Sequence, residues 1–163
     1  MERESFDIDA LVARATSGRC FVCEYLAGTP DYEHETLYLD DHHVVFLDRY
    51  PTMFGRVIVA PSRHLEGVTA DFSRDGYLAL QSLVYDVAEA MREILKPERV
   101  YLLSLGSQAA NAHVHWHVAP LQPGLPLEAQ QFAALMHENG VAAIDSEAQS
   151  RFAAAMREKL ALR

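Results

Sequence analysis

Three histidines alternate with apolar residues in one short run, which constrains the fold more than any other stretch of the chain. Residues 111–120 read Asn-Ala-His-Val-His-Trp-His-Val-Ala-Pro. Such alternation is typical of a β-strand, whose side chains point to opposite faces in turn. The pattern therefore predicts a strand with His113, His115 and His117 on one face, neighbouring imidazoles about 7 Å apart, and the Val and Trp side chains buried on the other.

Histidine at three alternate positions indicates a chemical role for this face. Histidine titrates near neutrality and is the usual side chain for proton transfer, metal ligation and nucleophilic attack. The alternative is a solvated strand face, but the run holds three of the eight histidines of the chain. Four other histidines, His34, His42, His43 and His137, lack this pattern, and we interpret them as surface or turn residues.

Composition and charge exclude several classes of protein. Half of the 163 residues are apolar and 23% are charged, which is an ordinary globular composition. The net charge of −9 argues against capture of bulk nucleic acid or of an anionic membrane surface. It does not exclude a small anionic ligand, because a site depends on local charge. The sequence has no apolar run of about 18 residues and its first four residues do not resemble a signal peptide, so we expect a cytoplasmic protein.

Further strands are predicted from short apolar or alternating runs bounded by turn residues. They fall at residues 35–39, 43–47, 55–60 and 99–105. Their close spacing predicts an antiparallel meander of the first three, and the fourth is expected to form a hairpin with the histidine strand.

Helical periodicity is clearest in the middle of the chain. Asp71 or Ser73 provides an N-cap, apolar residues then repeat at helical spacing, and Pro97 stops the helix. A weak amphipathic pattern within residues 1–19 predicts a short helix or arm. Two more helices are predicted, at residues 127–138 and 146–162.

Together these elements predict an α+β fold with a mostly antiparallel sheet, one long helix and a C-terminal helical extension. We expect one domain over residues 1–163, with a core at about 20–120 and the extension at about 121–163.

The only two cysteines are Cys20 and Cys23. Three interpretations are open for this pair: a redox dithiol, two unremarkable thiols, or half of a zinc site that needs two further ligands. A thioredoxin-like role would require a βαβ context, which the predicted elements do not provide.

The histidine run and two upstream segments resemble the histidine triad (HIT) superfamily. Residues 113–119 match its His-x-His-x-His signature with following apolar residues. Residues 39–51 resemble the first long hairpin of the family, and Pro61 and His64 match its Pro-x-x-His turn. The match covers about residues 20–120 in the order of the family. The resemblance implies a HIT-like fold and a nucleotide hydrolase or nucleotidyl transferase.

The resemblance also implies roles for individual residues. The middle histidine of the family attacks the α-phosphorus of a nucleotide, so His115 corresponds to a nucleophile that forms a phosphohistidine. His117 corresponds to the residue that contacts the phosphate and the leaving group. Asp48 falls where the family bonds the ribose hydroxyls, and Phe46 falls on the wall of the base pocket.

One branch of the superfamily, the galactose-1-phosphate uridylyltransferases, has a zinc site with a similar ligand pattern. That pattern maps onto Cys20, Cys23, His64 and His113. Two thiolates and two imidazoles complete a tetrahedral structural zinc site, so the resemblance implies a structural zinc ion.

The segment before the triad departs from both branches of the family. Asn111 resembles the transferases, but His117 stands where the transferases have Gln, which favours hydrolysis. Ala109 replaces the Gln that hydrolases usually carry. Ser107, Gln108 or Asn111 are therefore the candidates for the missing phosphate contact.

Several functions remain open at this point. Candidate substrates are dinucleoside polyphosphates, nucleoside phosphoramidates and related nucleotide conjugates. The alternatives are a non-catalytic nucleotide-binding or zinc-stabilised interaction module, and a metallohydrolase whose triad ligates a catalytic metal. The resemblance implies a homodimer formed through the long helix and an adjoining strand, and we expect neither bulk nucleic acid nor a membrane as a partner.

Overall fold

The computed structural model describes residues 3–163. The expectation that the chain starts without a signal peptide rests partly on Met1 and Glu2, which lie outside the described residues. The strands are β1 (Arg3–Glu4), β2 (Thr36–Leu39), β3 (His43–Leu47), β4 (Val57–Pro61), β5 (Arg99–Leu103), β6 (Trp116–Leu121) and β7 (Val141–Ala142). The helices are α1 (Ile8–Ala15), α2 (Phe21–Leu26), α3 (Arg74–Leu95), α4 (Phe132–Leu135) and α5 (Ser146–Ala161).

Five strands form one antiparallel sheet in the order β2-β3-β4-β6-β5. The predicted α+β class, the meander of β2 to β4 and the hairpin neighbours β5 and β6 are confirmed. In this register His117 lies opposite Ile58 on β4 and Leu103 on β5. The first strand of the chain, β1, pairs instead with β7 in a separate two-stranded sheet that the sequence did not predict.

Different helices pack against the two faces of the sheet. Alternate residues of β3, β4 and β6, including Val45, Val59 and Val118, pack against α3 and α5. The intervening residues, including Phe46 and Ile58, pack under α2. Because side chains alternate along a strand, His117 points away from the face that carries Val118, toward the α2 side. This face therefore holds His117, one of the candidate site residues.

The long helix α3 follows the prediction closely. Ser73 is its N-cap and accepts a hydrogen bond from the Gly76 N–H at 3.1 Å. Its buried stripe includes Leu80, Val87 and Met91, each contributing about 1.5–3 kcal/mol through burial. No helix among residues 3–163 is long and apolar enough to cross a membrane.

The prediction that the whole histidine run is a strand is wrong for its first half. Strand β6 begins only at Trp116. Before it, the Val114 N–H donates to the Leu65 carbonyl at 2.7 Å, in the loop that follows β4. Residues 113–115 therefore have loop partners in place of a strand ladder, although Val114 is still buried.

The predicted helix at residues 127–138 is also wrong. The segment folds as two short 3₁₀ turns, Leu127–Ala129 and His137–Asn139, on either side of the single-turn helix α4. Gln131 has φ 54°, a conformation that interrupts a right-handed helix. The final helix α5 is confirmed, and Phe152 and Met156 on it are part of the main core.

Candidate active site and metal centre

Hydrogen bonding fixes the tautomer of His115. The ring is 4% exposed, and its Nδ1 lies 2.7 Å from the His113 carbonyl oxygen. A carbonyl only accepts, so the proton is on Nδ1 and the Nε2 lone pair is free. Burial lowers the pKa of His115 although the hydrogen bond to the carbonyl opposes this. The side chain is therefore a neutral imidazole with an available nucleophilic nitrogen.

His117 is fixed in the opposite tautomer. Its ring centroid is 4.8 Å from that of His115, and its Nδ1 lies 3.1 Å from Nη2 of Arg56. A guanidinium only donates, so Nδ1 of His117 accepts and the ring proton is on Nε2. Burial, reinforced by the Arg56 charge, lowers the pKa of His117 well below its ordinary value.

Arg56 is held by several partners at the base of the site. It is 5% exposed, its Nη1 lies 3.3 Å from Oγ1 of Thr52, and its Nε lies 3.1 Å from Oδ2 of Asp48. The Nε contact is an ion pair without the alignment of a hydrogen bond. Burial acts to raise the pKa of Asp48, but the Arg56 charge, the neighbouring His117 and the hydrogen bond from the Tyr50 N–H together outweigh it, so this pKa is lower than usual. Arg56 was not among the sequence candidates.

Asp48, the predicted ribose contact, has partners at both carboxylate oxygens. Oδ2 faces Arg56, and Oδ1 accepts the N–H of Tyr50 at 3.0 Å. Its side chain is 12% exposed, so only a small part of it faces the cavity described next.

A cavity of about 280 Å³ opens beside the histidines. It is bounded by α1 and by the loop between β3 and β4, and its lining includes His115, His117 and Asn111. Asp48 is the only acidic residue of the described lining, against four arginines, Arg14, Arg19, Arg49 and Arg56. A chain of net charge −9 thus has a cationic cavity, which favours an anionic ligand.

Two of these arginines have no carboxylate partner among residues 3–163. Arg14 and Arg49 both donate to the Asp31 carbonyl, and the Arg14 guanidinium lies 3.9 Å from the centre of the Tyr32 ring. Arg19, in contrast, lies 3.8 Å from a Glu24 carboxylate. The positive charge of Arg14 and Arg49 is therefore available to a ligand.

A second cavity of about 230 Å³ lies on the other side of His115. Ser107 and Gln108 line it, whereas Asn111 lines the first cavity. The three candidate phosphate contacts therefore border His115 from two sides. Among the described residues that line this second cavity, Glu66 is the only acidic residue, and none is a lysine or an arginine.

Phe46, the predicted wall of the base pocket, lies behind the wall of the first cavity. Phe46 is fully buried, and its ring lies 4.6 Å from that of His34, which lines the cavity in front of it. His34 and His137, interpreted as surface or turn residues, are both partly exposed, and both line the cavity, which the sequence did not predict. His34 donates to the Leu47 carbonyl at 3.2 Å and His137 to the Tyr50 carbonyl at 2.9 Å. Both are isolated in sequence, so no local pattern identified them.

The four predicted metal ligands form one cluster. Cys20 is the N-cap of α2 and its Sγ accepts the Cys23 N–H at 3.4 Å. Sγ of Cys20 lies 3.3 Å from Nδ1 of His113, Sγ of Cys23 lies 3.4 Å from Nδ1 of His64, and all four ligand atoms lie within 4.8 Å of one another. Bond lengths of about 2.0–2.3 Å around zinc give tetrahedral edges of about 3.3–3.8 Å, so the donor set fits zinc.

Outer contacts orient both imidazoles toward the cysteines. Nε2 of His64 lies 3.1 Å from a Glu66 carboxylate oxygen, and Nε2 of His113 donates to the Pro61 carbonyl at 2.9 Å. Metal-ligating histidines typically donate their other ring N–H in this way. Both nitrogens of His113 thus have partners outside the triad, and the three triad histidines do not converge on one metal position.

Protonation states also fit a metal centre. Burial lowers the pKa of His113 to about 4, which keeps the ring neutral as a ligand requires. Burial and the neighbouring Cys20 raise the pKa of the Cys23 thiol to about 12. The Cys23 thiol therefore holds its proton near neutral pH, and a bound zinc ion would supply the positive charge that ionises it.

Comparisons with known proteins agree with this geometry. A family model described as HIT domain matches residues 29–124. An uncharacterized HIT-like protein from Saccharolobus solfataricus is 29% identical over 104 residues, covering 62% of this chain and 73% of the relative. "Protein hit" from Bacillus subtilis is 27% identical over 107 residues, covering 62% and 70%.

Solved structures share the fold. A hypothetical histidine triad nucleotide-binding protein from Sulfolobus tokodaii has a TM-score of 0.68 at 22% identity, covering 88% of this chain and 93% of its own. A Zn-bound histidine triad family protein from Mycobacterium smegmatis has a TM-score of 0.66 at 23% identity, covering 90% and 96%. With a family model spanning residues 29–124 of 163, the chain belongs to the HIT domain family.

Proposed function

We propose that this protein is a nucleotide phosphohydrolase, or a nucleotidyl transferase, that attacks an α-phosphate through His115. One observation carries the proposal. The hydrogen bond from Nδ1 of His115 to the His113 carbonyl leaves the Nε2 lone pair free in a site bordered by a cationic cavity. A nucleophile of this kind needs no prior deprotonation.

The proposed reaction has two halves. Nε2 of His115 forms a bond to the α-phosphorus while the bond to the leaving group breaks, and the bonding electron pair goes to the leaving atom. Nε2–H of His117 and the amide of Asn111 donate hydrogen bonds to charge that develops on the phosphoryl oxygens and the leaving group. Water then adds to phosphorus and releases a proton to solvent as the P–N bond breaks, or another acceptor takes the nucleotidyl group.

Local charge supports a nucleotide conjugate as the substrate, with dinucleoside polyphosphates and nucleoside phosphoramidates as candidates. We place the nucleoside in the larger cavity, against the wall that Phe46 backs and near Asp48 as a ribose contact. Ser107 and Gln108 then border the leaving group or the acceptor from the smaller cavity.

We also propose a structural zinc ion held by Cys20, Cys23, His64 and His113. When bound, the ion supplies charge and a cross-link rather than chemistry on the substrate, because four protein ligands close its coordination. Cysteine thiols are kept reduced in the cytosol, so two cysteines available as zinc ligands are consistent with the proposed cytoplasmic location.

We propose a homodimer that uses the exposed side of α3 and strand β5. Leu78 and Tyr85 on α3 and Leu102 on β5 are each about half exposed or more. Strand β5 is also an edge of the sheet, and a partner strand would satisfy its unpaired backbone groups.

The test is to trap the covalent intermediate. Purified protein is incubated with a panel of nucleotides labelled at the α-phosphate, denatured at alkaline pH and examined for an acid-labile adduct. We expect an adduct on the wild type and none on His115→Ala. His42→Ala is the matched control, because His42 is an exposed histidine on the β2–β3 hairpin.

Two results would contradict the proposal. Tight nucleotide binding without an adduct or turnover across the panel would make the protein a binding module. Turnover that survives His115→Ala would assign the reaction to another group.

A further inference from the structure

Arg56 determines which ring nitrogen of His117 holds the proton. All nitrogen-bound hydrogens of a guanidinium are donors, and it keeps them at any pH at which a protein is folded. Its Nη2 lies 3.1 Å from Nδ1 of His117, so that nitrogen is an acceptor and carries no proton. His117 therefore holds one proton, on Nε2, and a second proton would have to displace a buried arginine.

Arg56 cannot easily move away from this position. The Asp48 carboxylate, the Thr52 hydroxyl and His117 occupy three sides of the guanidinium. The side chain is 5% exposed, and separating it from Asp48 would leave two buried charges without partners. The tautomer of His117 is therefore a built feature of the site.

A neutral His117 can donate a hydrogen bond but cannot act as a general acid. Giving up the Nε2 proton would leave an imidazolate, a strong base. A phosphate leaving group does not need that proton, because phosphates are stable anions near neutrality, with a second pKa of about 6. An amine does need it, because breaking a P–N bond puts the electron pair on a nitrogen that cannot leave as an anion.

We propose that Arg56 is a positioning residue that restricts this enzyme to leaving groups that depart as stable anions, such as phosphate chains, and excludes amines. The proposal rests on the proposed function and narrows its substrates to nucleotides joined through a phosphoanhydride. In the first half-reaction the P–N bond to His115 forms, the P–O bond to the bridging oxygen breaks, and that oxygen keeps the electron pair. No proton is transferred in this step.

Charge around the site is consistent with this restriction. Burial and the Arg56 charge both lower the pKa of His117 and so keep the ring neutral, with its single proton on Nε2. The described lining of the larger cavity has four arginines against Asp48 alone, which suits a substrate with several phosphates.

The experiment compares two small substrates that differ only in the leaving group. Adenosine 5′-phosphofluoridate releases fluoride, which needs no proton, and adenosine 5′-phosphoramidate releases an amine of similar size. Diadenosine tetraphosphate is the third substrate. We measure kcat and kcat/KM from pH 5 to pH 8 for the wild type, Arg56→Met and Arg56→Lys.

For the wild type we expect kcat with fluoridate or tetraphosphate to exceed kcat with phosphoramidate by about a hundredfold or more, the usual contribution of general acid catalysis. Arg56→Met frees Nδ1 of His117 and leaves Asp48 to favour its protonation. Arg56→Met should therefore reduce the ratio of kcat with fluoridate to kcat with phosphoramidate at least about tenfold. It should also give phosphoramidate hydrolysis a pH dependence that the wild type lacks. Arg56→Lys keeps a donor and a charge, and it should keep the preference.

Because Arg56→Met leaves Asp48 unpaired, Arg56→Met with Asp48→Asn is made in parallel as the variant with no buried lone charge. A wild type that cleaves the phosphoramidate within tenfold of the fluoridate would overturn the proposal. An unchanged preference for fluoridate over phosphoramidate in both Arg56→Met and Arg56→Met with Asp48→Asn would also overturn it. So would a preference that Arg56→Lys loses as fully as Arg56→Met does. Absence of the His115 adduct with every substrate would overturn the proposed function and this inference with it, whereas an adduct without the preference would overturn the inference alone.

Discussion

Zinc should act as a cross-link that stabilises the whole protein, and its effect can be worked out from the chain separations of its ligands. The ion would join Cys20 to His113 and Cys23 to His64, pairs that are 93 and 41 residues apart. Closing loops of that length removes about 4–5 kcal/mol of chain entropy from the unfolded state. The shorter loop lies within the longer one along the chain, so the two contributions are not additive.

This free energy converts into a melting temperature. For a protein of this size, a change of 1 kcal/mol in stability changes Tm by about 2–4 °C. The upper limit of the rise in Tm on zinc binding is therefore about 8–20 °C. Zinc that also binds the cysteines of the unfolded chain makes this rise in Tm smaller. We therefore expect stoichiometric zinc to raise Tm by at least about 5 °C over protein treated with a chelator, measured by scanning calorimetry.

Two variants make the measurement specific. Cys20→Ser with Cys23→Ser should melt near the chelator-treated wild type and should not respond to zinc. His42→Ala, which removes an exposed histidine outside the cluster, should retain the full rise. A wild-type rise below about 2 °C, or an equal rise in the double-serine variant, would refute the reasoning.

Three further predictions concern charge and packing. Arg14→Gln with Arg49→Gln should weaken nucleotide binding and reduce its salt dependence, because neither guanidinium has a carboxylate partner among residues 3–163. Calorimetry at two salt concentrations checks this, and Arg19→Gln, which removes an already paired charge, should have less effect; equal effects would contradict the assignment. The pKa of Asp48 is lower in the folded state, so its ion pair stabilises the fold above the unfolded pKa of about 3.9, and this stability is lost as the pH falls through the lower folded value. Asp48→Asn should therefore flatten the decline in urea-unfolding free energy below about pH 4, and an unchanged slope would argue against the pair. Phe152→Ala should lower the unfolding free energy by about 3–5 kcal/mol, because Phe152 is 4% exposed in the main core, and a loss below about 1 kcal/mol would show that α5 is not part of that core.

Features that depend on local spacing were predictable from the sequence. The Cys-x-x-Cys spacing spans the first turn of α2, so an N-cap cysteine and the residue three positions later meet. The bounds of β3 and the N-cap Ser73 were also predicted, because apolar runs and capping residues act within a few residues.

Features that depend on tertiary contacts were not predictable. Arg56 stands at the start of an apolar strand, and a charged residue there was the one available signal. Its partner His117 is distant in sequence and its partner Asp48 directly follows β3, so only the register of β3, β4 and β6 brings the three together. His34 and His137 reach the cavity through contacts to the Leu47 and Tyr50 carbonyls, which no periodicity encodes.

The start of β6 at Trp116, later than predicted, has a consequence for His115. Had His113 belonged to the strand ladder, an N–H of a neighbouring strand would compete with Nδ1 of His115 for its carbonyl. Because the ladder begins only at Trp116, that carbonyl is free to fix the tautomer of His115. The imidazole of the same residue faces the cysteines through Nδ1 and the Pro61 carbonyl through Nε2. His113 thus connects the proposed metal centre to the proposed nucleophile, and a zinc ion on its ring would hold in place the backbone that orients His115.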